Sequence, residues 1–130
     1  FHKPVYEESK LDMFRKASLS VLPSMAESFG LVVAESLACG TPVITTKGTP
    51  WEKICGQKNA ETGETEGQCG WWIETGSDPL AEAIRTFLDT PEDKLREMGR
   101  NGRALMESQY CTVKVADELI NIYNDLKIWK

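Results

Sequence analysis

Two glutamates, Glu27 and Glu35, stand eight positions apart in the stretch PSMAESFGLVVAESLACGTPVI, residues 23–44. From Leu31 to Cys39 nearly every residue is apolar, with Glu35 the exception. A helix from Leu31 to Cys39 would be apolar on all sides and is expected to be buried. Glu35 within it must then be paired, hydrogen-bonded or at a wet edge, because an unsatisfied buried charge costs several kcal/mol. Ser28-Phe29-Gly30 puts a small and a flexible residue where that helix starts, so backbone N–H groups there can face an anion such as phosphate. Glu27 lies in the preceding loop, and Glu35 shares a helix face with Leu31. A carboxylate accepts two hydrogen bonds from adjacent hydroxyls, so acids on either side of an anion-binding helix start suit the two diol ends of a nucleotide sugar.

Plainer readings of the same residues stand beside this one. Ser24-x-x-Glu27 fits a capping box, in which Glu27 only starts a helix. Glu35 can equally be a surface glutamate on a helix edge.

The elements needed to position the pair are legible around it. Leu19–Leu22 and Pro42–Thr45 are short apolar runs, as expected of strands covered on both faces. Strand, helix and strand at this spacing predict a right-handed parallel unit. Ligands of open α/β sheets bind beyond the carboxyl ends of the strands, which here are residues 23–30 and 46–51. Trp71-Trp72-Ile73-Glu74 reads as a further strand, its tryptophans filling core. Phe1–Val5 reads as another. Ser9-x-x-Asp12 starts a surface helix, with Leu11, Phe14 and Ser18 facing a sheet and Met13 and Ala17 beside them. Residues 47–70, rich in glycine and acids and with a single helical turn near Trp51-Glu52, read as a mobile loop: either a lid over a ligand or an exposed insertion. Ser77-Asp78-Pro79 and Thr90-Pro91 each supply a cap followed by a proline at the first helical position. The first helix carries the stripe Leu80, Ala83, Ile84, Phe87 and Leu88, and the second Leu95, Met98, Gly102, Leu105 and Met106. Gly99 and Gly102 weaken that second helix by about 1 kcal/mol each relative to alanine, which calls for close packing or a bend. Thr112 starts a third helix striped by Ala116, Leu119, Ile120, Tyr123 and Leu126.

The string Glu27-Ser28-Phe29-Gly30-Leu31-Val32-Val33-Ala34-Glu35, with Pro23-Ser24 before it and Ala38-Cys39-Gly40-Thr41-Pro42-Val43-Ile44 after it, resembles the Glu-x7-Glu donor-site signature of the retaining GT-B glycosyltransferases, the group 1 family. Weaker similarity runs from about Phe1 to about Leu88. The resemblance implies a Rossmann-like parallel sheet with flanking helices, α/β in class, as part of the carboxyl-terminal domain of a GT-B fold. It implies that residues 1–130 are a partial donor-binding domain, and that the amino-terminal acceptor domain is absent from this chain, together with the opening strand and helix that carry the family's Gly-rich turn and Arg/Lys pair. By residue, it implies that Glu27 contacts the transferred sugar and is the catalytic position, that Ser28, Phe29, Gly30 and Leu31 bind donor sugar and phosphates, that Glu35 binds the ribose hydroxyls, and that backbone at Val5 contacts the base. Lys3 stands where the family usually has glycine, so the backbone beside Val5 can differ.

The activity implied is transfer of a sugar from a nucleotide diphosphate sugar to an acceptor hydroxyl with retention, in polysaccharide, lipopolysaccharide or glycoconjugate synthesis. No metal or cofactor is expected beyond the donor substrate, and the acceptor, a glycan or lipid-linked molecule, would be held by the missing domain. The chain alone is expected to be inactive. The alternative is a non-catalytic nucleotide-binding or subunit-pairing module of the same fold. A response-regulator or flavodoxin-like domain would need an acidic pair or a phosphate loop at its first strand, and neither is found.

With 130 residues the chain suits one domain that buries about two-thirds of its unfolded surface. Its net charge of −5, from 20 acidic and 15 basic residues, argues against non-specific nucleic-acid binding. No apolar run reaches the roughly 18 residues of a membrane span, and the amino terminus has no signal-like segment, so a cytoplasmic location is expected, peripheral to the inner membrane in a full-length protein. Cys39, Cys55, Cys69 and Cys111 lack Cys-x-x-Cys spacing and His2 is the lone histidine, so a zinc set is not expected. The cysteines read as free thiols of a reducing compartment, with pairing of Cys55 and Cys69 as the alternative.

Overall fold

Apolar runs too short to alternate pair side by side in the computed structural model, which describes residues 8–111. The elements, in order, are α1 (Glu8–Lys16), β1 (Ser20–Leu22), α2 (Leu31–Ala38), β2 (Val43–Thr46), a 3-10 turn (Glu52–Cys55), β3 (Gln57–Lys58), β4 (Thr65–Glu66), β5 (Gly70–Ile73), α3 (Ser77–Asp89) and α4 (Glu92–Gln109). The sheet has the order β1-β2-β5, parallel throughout, with Ser20 opposite Val43 and Val43 opposite Gly70. This is the expected parallel α/β arrangement. The expected strand at 1–5, with Val5, and the expected helix from Thr112 lie outside the described residues.

All four residues of β2 are buried, as befits the middle strand. The core gathers Val33, Ala34 and Leu37 of α2 with Val43, Trp51, Ile54 and Cys69, and Leu22, Trp72, Leu105, Met106 and Tyr110 pack against it. Full burial of side chains such as Val33 and Leu37 stabilises by about 1.5–3 kcal/mol each.

The close packing expected of the α4 glycines is present. A Cβ on Gly99 would lie 2.3 Å from the carbonyl oxygen of Gly40, and one on Gly102 would lie 2.9 Å from Leu37 Cδ2. Any side chain at Gly99 would push α4 away from the carboxyl end of α2.

Several expectations need correction. Of α1's neighbours, α2 is the one it packs on, rather than the sheet, and Thr41 Oγ1 donates to the Phe14 carbonyl at 2.5 Å. Residues 47–70 are not one loop: Trp51, Ile54 and Cys69 are buried, and between them stands the β3–β4 hairpin. Its exposed tip is shaped by Asn59, whose Oδ1 accepts from the N–H groups of Glu61 and Thr62 at 2.9 and 3.1 Å. The exposed-insertion reading fits the tip, while the base is core. The cap for α3 is Gly76 rather than Ser77, and for α4 Pro91 rather than Thr90, with no side-chain cap bond at either. Thr90 instead donates to the Thr86 carbonyl at 2.6 Å, finishing α3. Leu88, assigned to the apolar stripe of α3, is 71% exposed. All four cysteines are free thiols. No helix among the described residues is long and apolar enough to cross a membrane.

Candidate donor-binding site at the start of α2

Gly30 makes the turn into α2. It is left-handed, with φ 77° and ψ 65°, and serves as N-cap without any side-chain cap bond. A residue with a Cβ is disfavoured there, whereas glycine is not. The capping-box reading of Ser24-x-x-Glu27 therefore falls, since no helix begins there: Ser24 Oγ reaches the Ala26 carbonyl at 3.1 Å and Glu27 Oε1 at 3.5 Å. The expectation of a helix buried all round falls as well. Val33, Ala34, Ser36 and Leu37 are buried, but Leu31 is 67% exposed and Val32 41%. The helix start is open, and the apolar residues there face outward.

The loop that carries Glu27 is held by the loop after β2. Glu27 N–H donates to the Gly48 carbonyl at 2.9 Å. Thr46 Oγ1 donates to the Ser24 carbonyl, and Thr45 Oγ1 to the Leu22 carbonyl at 3.0 Å. A Cβ on Gly48 would lie 2.3 Å from the Met25 oxygen, so only glycine lets these two loops meet. The indole N–H of Trp51 donates to the Phe29 carbonyl, and the ring lies 5.1 Å from Phe29 and 5.3 Å from Tyr110, centroid to centroid. Nothing in the loop's own sequence announces these anchors, which come from residues 45–51.

Ser28, Phe29, Gly30 and Leu31 are thus brought to one open helix origin, at the carboxyl end of β1 as the topology requires. Amides at such an end, with the positive pole of the helix behind them, attract an anion. Glu27 is exposed in the loop just before it. Glu35, in the second turn of α2, is paired, one of the outcomes expected for a carboxylate in an apolar helix. Its Oε1 accepts from Lys10 Nζ of α1 at 2.6 Å, and its Oε2 is shielded from solvent with no partner among the described residues. The side chain is 29% exposed overall, so the pair is half-buried rather than free in water. Lys10 is a partner of Glu35 that sequence spacing gave no means of finding. Val5 lies outside the described residues.

A second cation, Lys47, follows β2 directly, but its ammonium is engaged by Glu74, which also raises its pKa, and it lies 5.7 Å from the Trp72 ring centroid. A cavity of about 380 Å³ adjoins the site through Pro23 and Met25 and extends to Gly76 and Ser77 at the start of α3. A larger cleft of about 750 Å³ lies elsewhere, between the 3-10 turn, the hairpin and α4. It contains none of the predicted site residues, and Glu52, Lys53, Glu66 and Gln109 on its walls form no convergent set around a reacting group. Size alone therefore does not make it the site. Among the described residues no three His, Cys, Asp or Glu side chains gather as a metal site.

Residues 1–105 match the family model described as glycosyl transferases group 1. The chain is 38% identical over 112 residues to the D-inositol 3-phosphate glycosyltransferase of Streptomyces scabiei, covering 83% of this chain and 22% of that protein. It therefore spans about a fifth of that relative's length. Among solved structures it is similar to sucrose-phosphate synthase from Thermosynechococcus elongatus, at 27% identity and a TM-score of 0.69, over 89% of this chain and 27% of that one. It also shares its fold with Anabaena Alr3699/HepE, solved in complex with UDP-glucose, at 19% identity and a TM-score of 0.70, over 92% of this chain and 31% of that one.

Proposed function

The chain belongs to the glycosyl transferases group 1 family, and from that premise we propose that it is part of the carboxyl-terminal, donor-binding domain of a longer GT-B enzyme that moves a sugar from a nucleotide diphosphate sugar to an acceptor hydroxyl with retention. The observation that carries this reading is the open start of α2. A left-handed Gly30 without a side-chain cap begins the helix, and the loop bearing Glu27 is pinned beside it. The amides of residues 29–31 receive the diphosphate and stabilise the charge that grows on it as the glycosidic bond breaks. Glu27 accepts hydrogen bonds from the hydroxyls of the transferred sugar and orients its anomeric carbon. Glu35 takes the ribose hydroxyls, which share its carboxylate with Lys10 or displace the ammonium. Backbone at Val5 meets the base.

No metal or further cofactor enters this scheme; the donor is a substrate. The UDP-glucose bound by the HepE relative illustrates the donor class. The acceptor, a glycan or lipid-linked molecule, is held by an amino-terminal domain of the full-length protein. With polysaccharide, lipopolysaccharide or another glycoconjugate as product, the reaction belongs in the cytoplasm, at the periphery of the inner membrane. Residues 1–130 by themselves are expected to show no transfer, since they span about a fifth of the glycosyltransferase they match.

Steady-state kinetics on the full-length enzyme test the assignments. Glu27→Ala should lower kcat by roughly a hundredfold or more, as loss of a transition-state contact does. Glu35→Ala should chiefly raise the donor KM, by about 10–100-fold for one lost charge-assisted hydrogen bond. Unchanged kinetics in both variants would refute the assignments.

A further inference from the structure

The amide that matters most at an anion-binding helix start is also the easiest to misdirect. The Phe29–Gly30 peptide precedes a glycine, and glycine tolerates both hands of φ, so the local sequence leaves that peptide plane free to rotate. The structure fixes it from behind. Trp51 is 1% exposed, its indole N–H donates to the Phe29 carbonyl from 22 positions along the chain, and its ring is packed between Phe29 and Tyr110. No cis peptide occurs among the described residues. In a planar trans peptide the N–H and C=O point in opposite directions. A Phe29 carbonyl turned inward onto a buried indole therefore turns the Gly30 N–H outward, toward the open end of α2.

We infer that Trp51 is a positioning residue for the donor: its indole N–H, through the Phe29 carbonyl, aims the Gly30 amide at the donor's diphosphate. This rests on the donor-site reading above. A phenylalanine could fill most of the same space with an aromatic ring, so packing by itself does not call for tryptophan. What tryptophan adds is one polar handle on an otherwise apolar ring. Trp72 makes an instructive contrast, because its indole N–H donates to the Thr49 carbonyl at 3.0 Å and touches neither Phe29 nor Gly30.

The test compares full-length wild type, Trp51→Phe and Trp72→Phe by titration calorimetry with uridine, guanosine and adenosine diphosphates and with the corresponding nucleosides. Trp51→Phe should bind the preferred diphosphate roughly tenfold more weakly while its nucleoside affinity stays within about twofold, and Trp72→Phe should leave both within about twofold. Equal losses for diphosphate and nucleoside, or no loss, would show that Trp51 is only packing and overturn the inference alone. A wild type that binds no diphosphate overturns the donor-site reading and the inference with it. Should Trp51→Phe fail to fold, the wild type still decides: the Gly30 amide resonance must shift as the diphosphate is added, and a Gly30 resonance that stays put overturns the inference.

Discussion

The two ends of α2 are finished in opposite ways. At its carboxyl end Gly40, at φ 79°, lets its N–H donate to the Leu37 carbonyl at 2.9 Å and the Thr41 N–H donate to the Ser36 carbonyl at 3.0 Å. This is the paired closure that satisfies a helix's last carbonyls. Ser36 Oγ adds a bond to the Thr41 carbonyl at 3.2 Å, and Gly99 of α4 lies against Gly40. At the amino end there is a left-handed glycine, no side-chain cap, and an exposed Leu31. A glycine N-cap forgoes a few tenths of a kcal/mol relative to Ser, Thr, Asp or Asn, so the open end gives up a little stability where the closed end satisfies its carbonyls. The difference teaches that one short helix divides its labour: from Val33 onward it holds the domain together, while Leu31 and Val32 at its origin are left exposed.

Variants at the two ends should separate these roles. The largest effect is expected from Gly99→Ala at the sealed end, where the new Cβ meets the Gly40 carbonyl oxygen at 2.3 Å. Urea denaturation should show a loss of about 3 kcal/mol, as overpacking against backbone does; a loss below about 0.5 kcal/mol would mean that the seam is loose.

Next to that seam, Cys69 offers a pH-dependent readout, because burial pushes its thiol from the ordinary value of 9.0 up to about 12. The thiolate forms first in the unfolded chain, so stability is intact below pH 9.0 and falls as pH rises from there toward about 12. The slope approaches about 1.4 kcal/mol per pH unit, and Cys69→Ala should remove that contribution from a series of denaturation curves.

At the open end, Gly30→Ala places a Cβ in ordinary contact with Trp51, Leu22 and Val33, so its cost comes from the left-handed backbone. About 1–2 kcal/mol of stability should be lost, and donor affinity should fall with it; an unaltered donor affinity would detach Gly30 from the site. The smallest effect is expected for Leu31→Gln. Its side chain is 67% exposed, and the change in stability should stay within about 0.5 kcal/mol by the same denaturation assay.

Much of the framework was legible because it depends on local pattern. The runs at 19–22 and 42–45 became β1 and β2 with ends shifted by one residue, and the α4 stripe of Leu95, Met98, Gly102, Leu105 and Met106 faces inward as its spacing implies. The position of Glu27 in a loop before the helix was legible for the same reason. The caps were not: Ser77 and Thr90 have the right chemistry, yet α3 and α4 begin at Gly76 and Pro91. Capping preferences amount to about 1 kcal/mol, which the packing of these helices on β5 and α2 can override. Residues 47–70 misled because composition averages over a segment, whereas Trp51, Ile54 and Cys69 are single buried residues spaced among exposed polar ones.

The amino-acid sequence by itself determined the strand–helix–strand unit, the place of the two glutamates on either side of the helix origin, and through the Glu-x7-Glu string the family. These follow from neighbours a few residues apart, where periodicity and backbone preference act. Only the tertiary structure decided that Lys10 closes on Glu35, that the loop after β2 grips the Glu27 loop through Gly48, and that Trp51 sets the direction of the Phe29–Gly30 peptide. Each of those joins groups about 20 or more positions apart. A hydrogen bond at that separation exists only after the sheet has brought the strand ends together, and no local pattern records it.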